Sequence, residues 1–152
     1  MGSPIEQVLI EAEARYLQAD GLDQLKHFVK GWPQRQSIYQ TLRAQEPQIL
    51  QTAIGQLQSE EPGLTPHVLS LCQQDLALTL RQAAMAMLLQ DEELLKQGLL
   101  EWLEEQVRLY NLQQVYEAAF RSLQASLKTY LSPAQLEFIK PFVTQAQVTL
   151  LF

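Results

Sequence analysis

The chain has 152 residues, 47% hydrophobic and 18% charged, which is the composition of a globular chain with one core. Its net charge of −6, without clusters of lysine or arginine, argues against nucleic acid and anionic membrane surfaces as partners, because binding to phosphate groups favours basic clusters. A single cysteine excludes an internal disulfide framework and a paired-cysteine zinc site, and it is typical of a reducing cytoplasm. The sequence has no N-terminal signal and no apolar run of membrane-spanning length, so we expect a cytosolic protein.

Helical periodicity dominates the first part of the chain. Ser3-Pro4 is a start signal, and apolar residues then recur at the spacing of a one-sided helix, at Ile5, Val8, Leu9, Ala12 and Tyr16. A second helix continues this period over residues 22–29. Gly31-Trp32-Pro33 is expected to interrupt it, and the helix that follows should start a new segment or bend at Pro47.

Residues 59–67 carry two prolines and a glycine and form the clearest predicted loop. Helices are predicted after it over residues 71–88, 94–109 and 112–130. The third of these is followed by Ser132-Pro133, which reads as an N-cap with an N1 proline and starts the last helix. No strand pattern occurs. The sequence therefore predicts one all-α domain of about seven or eight helices, packed as in globin-like folds, with an up-down bundle as the competing topology.

The segment Leu71–Arg81, LCQQDLALTLR, contains the cysteine and an acid one helical turn after it. Cys72 and Asp75 stand at positions i and i+3, which are neighbours on a helix, so a group bonded to the cysteine sulfur would lie beside the carboxylate. The ordinary alternative is that Cys72 is a small buried hydrophobe and Asp75 a solvated surface residue. These residues alone favour that alternative.

Three segments resemble phycobiliproteins, the light-harvesting subunits of cyanobacteria and red algae. Glu11–Val29, EAEARYLQADGLDQLKHFV, is similar to the N-terminal helical pair of that family. Leu71–Arg81 resembles its attachment motif, Cys-x-Arg-Asp-Leu-x-Tyr-x-Leu-Arg, and Leu131–Val143 resembles its last helix. The resemblance covers almost the whole chain. It implies a single domain over residues 1–152, with an N-terminal helical hairpin at about residues 4–30 and a globin-like core at about residues 33–152.

The resemblance also implies a cofactor, an open-chain tetrapyrrole (bilin) such as phycocyanobilin. Cys72 matches the cysteine that carries the bilin through a thioether, Asp75 matches the acid that binds the pyrrole N–H groups, and Arg81 closes the motif. A thiolate can add to a vinyl-type side chain, and a carboxylate accepts strong hydrogen bonds from pyrrole N–H donors.

This chain also departs from the family pattern within that motif. Gln74 replaces the arginine that pairs with a bilin propionate, Leu78 replaces a tyrosine, and Met85 replaces a second aromatic residue. These changes indicate a divergent member.

Family subunits pair through their N-terminal hairpins, where an acid of one subunit meets the arginine that closes the attachment motif of the other. Glu11 and Arg81 match these positions, and Tyr16 belongs to the apolar stripe beside them. The resemblance therefore implies a homodimer, or a heterodimer with a related subunit, in the cytoplasm or at the cytoplasmic face of the thylakoid. The alternative is that Glu11 and Arg81 are ordinary exposed charges, whose pairing contributes about 0–1 kcal/mol.

Other chemistry has little support in the sequence. His27 and His67 have no partner at metal-ligand spacing, and only the analogy of fold favours a haem on His67. No catalytic triad, phosphate loop or HExxH motif occurs, so we do not expect an enzyme. The main hypothesis is a bilin-binding protein of the phycobilisome or of bilin metabolism. The alternative is an adaptor without pigment, and hence without cofactor, in phycobilisome assembly, turnover or bilin biosynthesis. An enzyme acting on tetrapyrroles is the least favoured of the three.

Overall fold

The computed structural model describes residues 3–151, and this part of the chain contains helices and no β-strand. The all-α prediction is therefore confirmed. The helices are α1 (Pro4–Ala14), α2 (Ala19–Glu60), α3 (Pro66–Leu89), α4 (Glu93–Leu95), a π-helical segment (Lys96–Leu100), α5 (Glu101–Leu109), α6 (Gln113–Tyr130) and α7 (Pro133–Leu151). None of the helices in residues 3–151 has the length and apolar character needed to cross a membrane.

Four helices enclose the hydrophobic core. The long helix α2 packs against α3 and α6, while α7 closes the core against α3 and α6. The fully buried side chains at the centre come from all four helices and include Leu42, Ile49, Leu57, Leu76, Leu80, Phe120, Leu123, Ile139 and Val143. Helix α1 packs on α2 outside this centre, where Val8 is buried and the Ser3 hydroxyl donates to the carbonyl of Leu89 at 2.8 Å.

The predicted interruption at residues 31–33 is wrong, and Pro47 starts no new segment, because α2 runs without a break over 42 residues. Arg35, only 2% exposed, holds the helix together across Pro33. Its guanidinium donates to the carbonyls of Phe28, at 2.9 Å, and of Leu88 in α3, at 3.0 Å, and it lies 4.5 Å from the centre of the Phe28 ring. The bond to Phe28 lies within α2 and the bond to Leu88 is tertiary, and together they offset the hydrogen bond that a proline removes from a helix. The division of the chain at residues 30–33 stays a prediction, and it falls within α2. Residues 1, 2 and 152 of the predicted domain lie outside the described residues.

The predicted start signal at Ser132 appears as hydrogen bonds, whereas Ser3, at the start of α1, makes no capping hydrogen bond with its side chain. The Ser132 hydroxyl accepts from the Gln135 amide at 3.2 Å, and the Gln135 side chain accepts from the Ser132 amide at 3.0 Å, which is a capping box. Thr65 caps α3 by accepting from the Val68 amide at 3.2 Å, so the loop is shorter than predicted. The predicted regular helix over residues 94–109 is interrupted by the π-helical segment, which widens the helix one turn before α5 begins.

Candidate functional site

A cavity of about 520 Å³ lies between α3, α5 and the start of α6. Residues of α3 line one wall at helical spacing: His67, Val68, Leu71, Gln74, Asp75 and Leu78. The opposite wall comes from α5 and α6 and consists of Trp102, Gln106, Val107, Tyr110, Leu112 and Tyr116. Asn111, with a φ of 54°, provides the left-handed turn between α5 and α6, and asparagine tolerates that conformation better than most residues. The turn lets side chains from two successive helices line the same cavity opposite α3.

Asp75 is a half-buried carboxylate in this largely apolar cavity. The hydroxyl of Tyr116, which is 3% exposed, donates a hydrogen bond to Asp75 Oδ2. Burial raises the pKa of Asp75, and the hydrogen bond from Tyr116 opposes that rise. Burial and the adjacent carboxylate raise the pKa of Tyr116, so its hydroxyl remains a donor. Among the described residues, Asp75 Oδ1 has no side-chain partner, and that oxygen can accept from a ligand.

Cys72 lies behind this wall and not on it. Its side chain is 0% exposed and belongs to the core with Leu76 and Leu80. Burial, and to a smaller extent the nearby Asp75 carboxylate, raise the pKa of the thiol to about 11. At neutral pH Cys72 is therefore a protonated thiol without contact to solvent, close to Asp75 but separated from the cavity.

Sequence reasoning missed the opposite wall of the cavity. Trp102 and Gln106 of α5 and Tyr110, the residue directly after α5, stand at i, i+4 and i+8, and the two aromatic side chains are 53% and 64% exposed. The signal available in the sequence was an aromatic stripe on the polar side of an amphipathic helix. Tyr116, which meets Asp75 from 41 residues further along the chain, gave no such signal.

The structure does not bring Arg81 together with Cys72 and Asp75. Arg81 forms two hydrogen bonds with the Glu46 carboxylate of α2, at 2.8 and 3.0 Å, and this bonding raises the pKa of Arg81. It lines a smaller cavity of about 190 Å³ between α2 and α3, with Tyr39 and Arg43. The role of Arg81 in cofactor binding stays a prediction.

The two predicted interface residues of the N-terminal region lie on the surface. Glu11 pairs with Arg15 of the same chain at 2.6 Å, and Tyr16, in the connection between α1 and α2, is 98% exposed. Leu9 of the predicted apolar stripe is also more than half exposed, as is its neighbour Ile10, so part of the stripe has no cover within the chain. The interface roles of Glu11, Tyr16 and Arg81 stay predictions.

Metal binding has no support in the part of the chain that the structure describes. Across residues 3–151, no group of three or more histidine, cysteine, aspartate or glutamate side chains converges to hold a metal ion.

The helical core with the cavity beside α3 defines an all-α domain of globin-like architecture. The family model described as phycobilisome protein matches residues 8–150 of this chain. A search of curated proteins gives no match. Because the family match covers nearly the whole chain, the chain belongs to the phycobilisome protein family, and its fold is the all-α, globin-like fold of phycobiliproteins. Members of this family generally bind bilin chromophores and typically assemble with related subunits.

Proposed function

We propose that this protein binds a linear tetrapyrrole, a bilin such as phycocyanobilin, in the cavity between α3, α5 and α6. The observation that carries the proposal is the Asp75 carboxylate, which lines a largely apolar cavity and uses one oxygen for the hydrogen bond from Tyr116, so its other oxygen can accept from a ligand. Pyrrole N–H groups would donate to that oxygen. Hydrogen bonds to a charged group contribute about 1.5–3 kcal/mol each, so one carboxylate can position the central rings of the pigment.

The remainder of the cavity suits a flat, conjugated ligand. Its volume of about 520 Å³ falls within the range of ordinary small-molecule sites. Trp102 and Tyr110 line this cavity and are half or more exposed, so their rings can contact pyrrole rings of a ligand. Burying these aromatic faces under a ligand would add hydrophobic stabilisation to the hydrogen bonds at Asp75.

Covalent attachment at Cys72 would follow as a second, slower step. In a thioether-forming addition, the sulfur bonds to one carbon of an exocyclic double bond of the bilin, the π bond breaks, and the thiol proton ends on the neighbouring carbon. The reactive form is the thiolate, which a pKa of about 11 makes scarce at neutral pH. We therefore expect reversible binding first, with attachment only when the Cys72 sulfur becomes exposed.

Titration of the purified protein with phycocyanobilin tests this proposal. A saturable change of the long-wavelength absorption band is expected, and Asp75→Asn should lower the affinity for phycocyanobilin at least tenfold. Asp23→Asn is the matched control, because Asp23 is an exposed acid on α2 outside the cavity. Absence of binding in the unaltered protein, or equal affinities of Asp75→Asn and Asp23→Asn, would overturn the proposal.

Zinc-enhanced fluorescence in a denaturing gel separates covalent from reversible pigment. A fluorescent band that grows over hours and disappears in Cys72→Ala is the expected result for attachment at Cys72. Reversible binding should persist in that variant, because Cys72 does not line the cavity. An adduct that survives in Cys72→Ala would contradict attachment at this residue.

A second candidate function is an adaptor without pigment in phycobilisome assembly, turnover or bilin biosynthesis. The observation that favours it is that the cavity wall contains no lysine or arginine. A bilin carries two negatively charged propionates, for which this wall offers no permanently charged partner. Gln74 occupies the matching position on that wall and cannot provide a positive charge. Failure of the phycocyanobilin titration would favour this alternative. Neither proposal assigns catalysis to the protein.

We also propose that the protein assembles through α1, as a homodimer or with a related subunit, in a reducing cytoplasm. The exposed side chains of Leu9, Ile10 and Tyr16 support an interface on this face. Light scattering at micromolar concentration should give more than the mass of one chain, and Leu9→Glu should shift the protein toward the monomer. A single-chain mass in the unaltered protein would refute the homodimer.

A further inference from the structure

The α3 wall of the cavity carries groups that can take opposite charges at its two ends. Asp75 is the one acid among the lining side chains, and His67, in the first turn of α3, is the one lining side chain that can carry a positive charge. Gln74 and Leu71 lie between them on the same wall and are neutral. The two titratable groups are eight residues apart, which corresponds to about 12 Å along the helix axis. A ligand lying along α3 can therefore meet both groups at once.

We propose that His67 binds a carboxylate of the ligand and fixes the direction in which the ligand lies along α3. This inference rests on the proposed function, since it takes a linear tetrapyrrole as the ligand. The pyrrole N–H groups would face Asp75, and a propionate would extend toward the N-terminal end of α3. Gln74, between these points, can donate an amide hydrogen bond but contributes no charge.

The N-terminal end of α3 also suits an anion. The first backbone N–H groups of a helix have no partner within the helix, and the helix dipole places partial positive charge there. Thr65 satisfies one of these donors by accepting from the Val68 amide. The His67 imidazole is exposed at this end of the cavity, so it can reach a carboxylate without a rearrangement of the core. The N-terminal end of α3 and the His67 imidazole therefore both favour a negatively charged group of the ligand.

Paired ligands can isolate this charge interaction. Biliverdin carries two propionates, and its dimethyl ester has the same rings without the charges. Both are titrated at about pH 6, near which imidazole side chains take up a proton, against the unaltered protein, His67→Gln and His67→Arg. His27→Gln is the matched control, because His27 is an exposed histidine on α2 outside this cavity.

His67→Gln should lower the affinity for biliverdin about fivefold, which is the upper end of what an exposed ion pair contributes. It should change the affinity for the dimethyl ester less than twofold. His67→Arg should restore or exceed the original affinity for biliverdin, because its charge is permanent. His27→Gln should leave both affinities unchanged.

The outcomes distinguish this inference from the proposed function. If both ligands bind and His67→Gln changes their affinities equally, or changes neither, the role of His67 is overturned while the tetrapyrrole site stands. If neither ligand binds the unaltered protein, the proposed function is overturned and this inference with it. A loss confined to biliverdin and reversed by His67→Arg supports both, since a structural role of His67 would affect the ester as well.

Discussion

Cys72 should react with an alkylating reagent far more slowly in the folded protein than in the unfolded chain. The reactive species is the thiolate, and the pKa of the thiol is raised from an ordinary 9.0 to about 11. At a pH well below both values, a difference of about two pKa units lowers the thiolate fraction about 100-fold. The side chain is also 0% exposed, so a reagent must wait for the core to open. We expect the native rate constant to be lower by at least about 100-fold.

The assay is labelling with iodoacetamide at about pH 8, followed by the mass of the intact protein, in buffer and in concentrated guanidinium chloride. Because the chain has one cysteine, each labelled molecule carries one adduct, and Cys72→Ala provides the blank. Asp75→Asn should speed native labelling, though less than unfolding does, since burial is the larger cause of the raised pKa. Similar rates in the folded and unfolded protein would refute a buried Cys72 and would leave the thiol open to direct bilin attachment.

Three further predictions concern stability. The raised pKa of Cys72 adds stability that is fully present below pH 9.0 and is lost as pH rises through about 11. Urea titrations from about pH 8 to 11.5 should show this loss in the free energy of unfolding. An equally steep fall with pH in Cys72→Ala would contradict it. The raised pKa of Asp75 likewise gives stability that is present below its ordinary value of 3.8 and is lost as pH rises through the folded value. Asp75→Asn should remove that part of the pH dependence in urea titrations from about pH 3 to 7, and an unchanged pH dependence in this variant would contradict it. Gly31→Ala should destabilise the protein by about 1 kcal/mol, because the added Cβ would lie 2.6 Å from the guanidinium of Arg35. Gly55→Ala has open space around the added Cβ and should stabilise α2 by about 0.5–1 kcal/mol. Thermal unfolding that ranks the two variants in the opposite order would refute the Arg35 argument.

The elements that local signals specify could be predicted from the sequence. The cap at Ser132 and the apolar period of α6 depend on residues within one or two helical turns of each other. The continuity of α2 could not be predicted in the same way. It depends on Arg35 reaching the carbonyl of Leu88, 53 residues away, and the sequence around Pro33 contains only the helix-breaking signal.

The candidate site shows the same division. The proximity of Cys72 and Asp75 follows from helical spacing and was predictable. The side of α3 that faces the core could not be predicted from that spacing. This orientation determines that Cys72 is fully buried while Asp75 lines a cavity. The contact of Asp75 with Tyr116 depends on the packing of α6, so no local pattern could indicate it.

The order of events at the site follows from the causes of the raised pKa at Cys72. Ligand N–H groups that donate to Asp75 would offset its negative potential at the sulfur, and this would lower the pKa of the thiol toward its ordinary value. They would leave the larger cause, burial in the core, in place. Under the proposed function, binding would therefore prepare the thiol electrostatically without exposing it, and attachment would need a movement of α3 or of the helices that cover it. Pigment saturation should then precede adduct formation, and an adduct that forms as fast as the absorption change would contradict this order.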